Sequence, residues 1–419
     1  MTYFLRAVSL GVAAFFLGSA IADAATQPVL ERVVLVTRHG VRSPTRGDAE
    51  MASYATDSWP KFPVAPGELT PHGAEALTRM GEGLRTHYAA LLGSGCDFYI
   101  WSDSADSRTR ASGEAVAHGL APACTGRSGH GKEGEPDVLF DAIDAGRCPI
   151  EPQKAVDAAN ARLKSVLSRN AGAYARARTT LQSILTPGTK GDCTDDKEKS
   201  CRIAGGDNRV SASKTDAKLE GPLNLGSTLS EVLLLQYGEG LTPGWGRADK
   251  AKIATALDLH NLYSDVMRRN PVLASRRGSH LVRAILNTLE GKPDLELTKA
   301  KVPGDAKMVL FLGHDTNLAN LSGLMDAAWN LPGQPDVTAP DTSLAFEVWR
   351  DAHGQRTVAV RVFYQTMDQL RDLSRLDTGH PLPSQALKLP GCRGATCTLD
   401  AFRARLTPRL AKDCLSQTN

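Results

Sequence analysis

Apolar residues along this chain fall into two spacings. Short β-branched or aromatic runs at 33–36, 98–102, 308–312, 344–349 and 357–364 read as strands, and the run at 33–36 is apolar throughout, as a buried strand requires. Between these runs the spacing lengthens to that of helices. Thr70-Pro71 offers an N-cap followed by proline at the first helical position. Leu77, Met80, Leu84 and Tyr88 then recur on one face of a helix expected to reach about Leu92. A further helix is expected from Arg108 to Leu120. Strand–helix alternation of this kind predicts an α/β sandwich.

The pattern changes between about 150 and 300. Residues 155–184 are Ala- and Arg-rich and helix-forming, and 223–237 and 251–267 are apolar-periodic helices. Residues 191–210 are polar, charged and glycine-bearing, the composition of a surface excursion. The expected organisation is an α/β domain over 25–149 and 301–419, interrupted by an inserted, mostly helical domain over 150–300, with 25–32 as a short leader.

Composition narrows the setting. A length of 419 residues exceeds one small core. The net charge of +3 gives no case for nucleic acid or a polybasic membrane contact. It leaves room for a local positive field that attracts phosphate esters. Arg6, the mostly apolar stretch 7–20 and Ala22-Asp23-Ala24 read as a cleaved signal peptide over 1–24. The apolar stretch falls short of the roughly 20 residues a membrane span needs. The mature protein is therefore expected in the periplasm or secreted, free of the membrane once the signal is removed. In that setting the cysteines, Cys96, Cys124, Cys148, Cys193, Cys201, Cys392, Cys397 and Cys414, point to disulfides, because there is no C-x-x-C. Cys193/Cys201 and Cys392/Cys397 are natural local pairs, and the pairing of the others stays open at this point.

The candidate chemistry lies at two strand ends. Arg38-His39-Gly40-Val41-Arg42-Ser43-Pro44 follows the run at 33–36, and Gly313-His314-Asp315-Thr316-Asn317 follows the run at 308–312. Guanidinium forks match phosphate oxygens, and an imidazole between them can attack phosphorus. An isolated Arg-His-Gly would be an ordinary charged surface loop, and His314-Asp315 alone an ordinary helix cap. Their joint occurrence favours catalysis. There is no HExxH, no EF-hand loop and no dense His/Asp cluster in the sequence, so a reaction without metal or cofactor is expected.

These two motifs, in this order, resemble the active-site signature of the histidine acid phosphatases. That branch of the histidine phosphatase superfamily holds periplasmic phytases, glucose-1-phosphatases and prostatic-type acid phosphatases. The likeness continues through Trp59-Pro60-Lys61-Phe62-Pro63, Leu69-Thr70-Pro71-His72-Gly73, Ser107-Arg108-Thr109-Arg110-Ala111-Ser112-Gly113-Glu114, Leu331-Pro332-Gly333-Gln334-Pro335-Asp336 and Phe346-Glu347-Val348-Trp349-Arg350. It is nearest to the bacterial 4-phytases.

The resemblance implies a three-layer α/β sandwich around a central mixed sheet, with the helical insertion. It implies phosphomonoester hydrolysis through a phosphohistidine on His39. Arg38, Arg42, Arg108 and His314 would hold the phosphate, Thr45 and Arg46 would extend the binding loop, and Asp315 would protonate the leaving oxygen. Arg110 is a rival to Arg108, whose other role would be pairing with Asp103 or Asp106. Glu231 and Arg277 would line the substrate. Cys96–Cys124 and Cys148–Cys414 are the implied remaining disulfides. The expected partner is a small phosphomonoester, foremost inositol hexakisphosphate, and the expected state a monomer. A glucose-1-phosphatase or broad sugar-phosphate phosphatase is the alternative enzyme. A non-catalytic phosphosugar binder is the alternative of another class, disfavoured because it needs neither His39 nor Asp315. A phosphoglycerate mutase-type enzyme is disfavoured by the signal peptide and the cysteines. At one position the chain departs from the pattern: phytases of this type commonly carry Lys where Arg46 stands. Thr316 matches the phytase form, where glucose-1-phosphatases usually show Ser.

Overall fold

A computed structural model describes residues 27–187, 203, 205–292, 302–392 and 394–416. The expected signal peptide and the Cys193/Cys201 pair lie outside the described residues. The strands are β1 (Val29–Arg38), β2 (Phe98–Ser102), β3 (Ser128–His130), β4 (Arg209–Ala212), β5 (Ala217–Glu220), β6 (Met308–Gly313), β7 (Ser343–Arg350), β8 (Arg356–Phe363), β9 (Ser384–Leu387) and β10 (Thr396–Thr398). One sheet runs in the order β10-β8-β7-β1-β6-β2-β3, with β9 also on β8, and β4 and β5 form a separate hairpin.

The sheet is mixed, and β1 is where it changes sense. β1 pairs parallel to β6 and antiparallel to β7. Side chains of β1 alternate between two cores, as strand geometry dictates. Val33 and Leu35 pack with Leu77, Met80 and Leu84 of the Pro71–His87 helix and Val116 and Leu120 of the Ser107–Leu120 helix. Val34 and Val36 pack on the opposite face with Leu281 and Ile285 of the Pro271–Leu289 helix and Leu318 and Leu321 of the Asp315–Met325 helix. Helix, sheet and helix give the expected three layers. Burial on both faces explains why β1 and β6 read as unbroken apolar runs.

A further core forms among the helices Pro152–Arg169, Ala171–Leu185, Pro222–Gly238 and Lys250–Met267, through residues such as Leu163, Leu181, Leu233 and Leu257. The helix-forming stretch 155–184 is two helices. Asn170 breaks it, closing the first helix with its side-chain amide donating to the Val166 carbonyl at 2.8 Å. The helix expected to reach Leu92 likewise stops at His87, and a short turn Ala89–Leu92 follows. β1 begins at Val29, inside the expected leader, because Val29 and Leu30 pair with Arg350 and Trp349 of β7.

Disulfides join Cys96–Cys124, Cys148–Cys414 and Cys392–Cys397. The second ties the C-terminal helix Lys412–Leu415 to the middle of the chain.

Candidate active site

Strand register assembles the site. β1, β6 and β2 lie side by side and parallel, with Arg38 opposite Gly313 and Leu312 opposite Ser102. Their carboxyl ends, where open α/β sheets bind ligands, therefore deliver Arg38-His39, His314-Asp315 and Asp103 to one place. The His39 N–H donates to the Gly313 carbonyl at 2.9 Å, and the Asp103 N–H donates to the Leu312 carbonyl at 2.9 Å. Gly40 lets the segment after His39 pack closely against the Pro71–His87 helix. A Cβ there would lie 2.7 Å from Leu77 and 2.9 Å from the Gly73 carbonyl oxygen.

His39 is 3 % exposed. Its Nδ1 lies 2.9 Å from the Gly40 carbonyl oxygen. A carbonyl only accepts, so Nδ1 carries the proton and Nε2 keeps its lone pair. Burial, followed by the charges of Arg38, Arg108, Arg42 and His314, pushes the imidazole well below its ordinary range. These effects favour the neutral ring, whose lone pair lies on Nε2.

Buried carboxylates hold the guanidiniums. Arg38 donates to Glu231 and Asp336, the latter at 3.2 Å, and to the Thr338 carbonyl at 2.6 Å. Arg42 donates to the other Glu231 oxygen at 3.2 Å and to the Ser43 carbonyl at 3.0 Å. Burial pushes the Glu231 carboxyl up, but the Arg42 and Arg38 charges outweigh it and hold the group at about 2. Each guanidinium has five N–H groups, so both arginines keep donors to spare. Glu231 was expected to line the substrate. Its carboxylate bridges Arg38 and Arg42, reaching them from the Pro222–Gly238 helix.

Arg108 pairs with Asp106 at 2.5 Å, and its charge bears on His39. Arg110 turns away, to the Ser104 carbonyl at 2.7 Å and to Glu133. His314 Nε2 donates to Asp103 at 2.7 Å, and its ring meets that of His39 edge-on with centroids 5.6 Å apart.

His314 also stands at the N-cap position of the Asp315–Met325 helix, where its N–H donates to the Asn317 side chain at 2.8 Å. Asp315 is 9 % exposed. It accepts from the Thr316 N–H at 2.7 Å and pairs with Arg268 at 2.5 Å. Burial pushes its carboxyl up, yet the charges of Arg268 and Arg38 outweigh it and hold the group well below the carboxylate range.

Thr45 is exposed, and Arg46 turns to Glu50 on the loop's outer side. Arg277 is committed to Asp216 and to the Met267 carbonyl, on the wall of a cavity of about 320 Å³ that also includes Arg268 and Thr316.

Sequence reading missed Arg268, His260 and the arginine-holding role of Asp336. Only Asp336 carried a signal, as the last residue of the Leu331–Asp336 motif. The expectation of no dense His/Asp cluster also needs correcting. Folding brings Asp103, Asp106 and His314 together, and likewise Glu231, His260 and Asp315, with ligand atoms within 4.8 Å. Glu231, Asp315 and Asp106 already pair with arginines, and that charge opposes a second cation there.

The family description "histidine phosphatase superfamily (branch 2)" matches residues 29–365. The chain is 34% identical to the phytase AppA of Escherichia coli strain K12 over 402 residues, 92% of this chain and 93% of that protein. It is 28% identical to a glucose-1-phosphatase of Providencia rettgeri over 395 residues, 90% of each. Among solved structures, the Hafnia alvei phytase in complex with myo-inositol hexakis sulphate superposes with a TM-score of 0.83 at 32% identity, over 93% of this chain and 99% of that one.

Proposed function

Because the chain belongs to branch 2 of the histidine phosphatase superfamily and is a phosphomonoester hydrolase, we propose that His39 is its nucleophile and inositol hexakisphosphate its principal substrate. The observation that carries the assignment is the state of His39. Its Nδ1 is held by the Gly40 carbonyl, which leaves Nε2 free, and burial with the charges of Arg38, Arg108 and Arg42 favours the neutral ring.

In the proposed reaction Arg38, Arg42, Arg108 and His314 hold the phosphoryl oxygens while Nε2 attacks phosphorus in line. Such transfers depend mostly on positioning and charge stabilisation. The N–P bond forms as the P–O bond breaks. Asp315, protonated in the substrate complex, gives its proton to the leaving alkoxide. In the empty site Arg268 keeps that carboxyl ionised. Bound phosphate adds negative charge beside it and raises it toward protonation. Water then attacks phosphorus, returning His39 and releasing phosphate, with Asp315 accepting the water's proton.

The names of the relatives, the solved complex with an inositol hexakis sulphate and the arginines around the site support the substrate assignment. The processing pattern at 22–24 and the three described disulfides support a mature enzyme in an oxidising compartment, the periplasm or outside the cell. It is proposed to work as a monomer. Phosphate release from inositol hexakisphosphate, glucose 1-phosphate and an aryl phosphate, measured side by side at acidic pH, tests the substrate. A higher kcat/KM on glucose 1-phosphate than on inositol hexakisphosphate would refute it.

A further inference from the structure

Arg268 follows the Lys250–Met267 helix and reaches Asp315 across 47 residues of sequence. It donates through Nη1 to Asp315 at 2.5 Å and to the Ser264 hydroxyl at 3.2 Å. Among the described residues its Nη2 has no protein hydrogen-bond partner. The guanidinium carbon sits 5.4 Å from the Tyr263 ring centroid. This arginine, the partner of Asp315, and Thr316, its neighbour in sequence, both line the cavity of about 320 Å³. Two cations line that cavity, and they differ. Arg277 has its fork closed on Asp216 and the Met267 carbonyl, whereas Arg268 keeps free donors. Asp141, Asp144 and Asp216 line the same cavity; Arg277 neutralises Asp216, and burial pushes Asp141 up, so acid makes the cavity more receptive to anions.

We infer that Arg268 couples recognition of a second phosphate to proton donation: with the cavity empty it clamps Asp315 as a carboxylate, and a neighbouring phosphate group of a polyphosphorylated substrate draws the guanidinium away and leaves Asp315 free to carry the proton. This rests on Asp315 being the proton donor. The groups facing Asp315 are Arg268 and His260 from the helical side, Arg38 and His39 from the end of β1, and Glu231 from the Pro222–Gly238 helix. Of the cations, Arg268 is the one that both touches Asp315 and lines the cavity. The sign follows from charge. Arg268 favours the ionised carboxyl, so drawing it away raises Asp315 and carries the acid form to higher pH. A monophosphate, with nothing to place in the cavity, leaves the clamp closed.

The test is the single-turnover rate of enzyme phosphorylation at saturating substrate, followed across pH, with inositol hexakisphosphate and with an inositol monophosphate. The two share an alkoxide leaving group. In the wild type the basic limb should lie at higher pH with the hexakisphosphate. In Arg268→Gln the monophosphate limb should rise to meet it. The hexakisphosphate-over-monophosphate ratio of kcat/KM should fall by about tenfold or more, the usual size of a lost charged hydrogen bond. Arg268→Lys, which keeps the charge without the fork, should retain part of the gap. Coincident limbs in the wild type, or a gap unchanged in Arg268→Gln, overturn the inference, and coincident wild-type limbs do so even if neither variant folds. Asp315→Asn separates the two levels. If it slows alkyl and aryl phosphates equally, the proton-donor assignment fails. If it discriminates between them while Arg268→Gln leaves the gap intact, only the role of Arg268 fails.

Discussion

Replacing Glu231 by Gln should destabilise the protein far more than an ordinary helix substitution. Glu231 is 8 % exposed and its two carboxylate oxygens hold Arg38 and Arg42. Its carboxyl is held at about 2, against an ordinary value of 4.5. At about 1.4 kcal/mol per pH unit, that difference corresponds to roughly 3 kcal/mol of preference for the ionised form. Gln keeps the shape and removes the charge, leaving two buried guanidiniums to share a neutral amide. Removing one partner of a buried ion pair costs about 3–5 kcal/mol, which agrees with the first figure. The pH dependence has a definite sign. A carboxyl depressed on folding contributes its full stability above its unfolded value, and loses it as pH falls through the folded one. Wild type should therefore exceed Glu231→Gln by roughly 3 kcal/mol at pH 6, and the difference should shrink to about 1 kcal/mol by pH 2.5. Urea unfolding with the disulfides intact, at both pH values, measures it. A difference below about 1 kcal/mol at pH 6, or one that does not shrink in acid, would show that Glu231 is not the group that holds the two arginines.

Asp315→Asn should lose roughly two orders of magnitude or more on inositol hexakisphosphate and much less on an aryl phosphate whose phenolate leaves unaided, as general acid catalysis requires; equal losses would leave Asp315 a structural role in the first turn of its helix. A chelator should leave turnover of an aryl phosphate intact, because guanidiniums supply the charge around the phosphoryl group, and activity restored only by a divalent ion would contradict that. Replacing Cys148 and Cys414 by Ser opens a loop of sequence separation 266 and should cost roughly 5 kcal/mol on chain-entropy grounds, read as a lowered denaturation midpoint.

Much of this was legible in the sequence because it is local. A strand running into Arg-His-Gly and another running into His-Asp state their own placement, and the parallel register of β1 and β6 only joins them. Apolar spacing likewise marked the Pro71–His87 and Ser107–Leu120 helices on one face of the sheet, but not the Pro271–Leu289 and Asp315–Met325 helices on the other. What escaped are pairs made through space. Arg268 meets Asp315, and Asp103 meets His314 across 211 residues; nothing in the neighbourhood of either residue announces its partner. Glu231 was singled out through the family resemblance alone, and its pairing with two arginines depends on how its helix meets the sheet. The break at Asn170 was missed because Ala-rich sequence on both sides satisfies helix periodicity. The strand order was missed because periodicity carries no information on which strands are neighbours.

The nucleophile can be tested directly. Wild-type enzyme mixed with phosphate-labelled substrate and quenched in alkali, which preserves phosphohistidine, should yield a labelled peptide with the label on His39, and His39→Ala should yield neither label nor turnover. Label on another residue of the wild type, or turnover retained in His39→Ala, would contradict a phosphohistidine mechanism at this site.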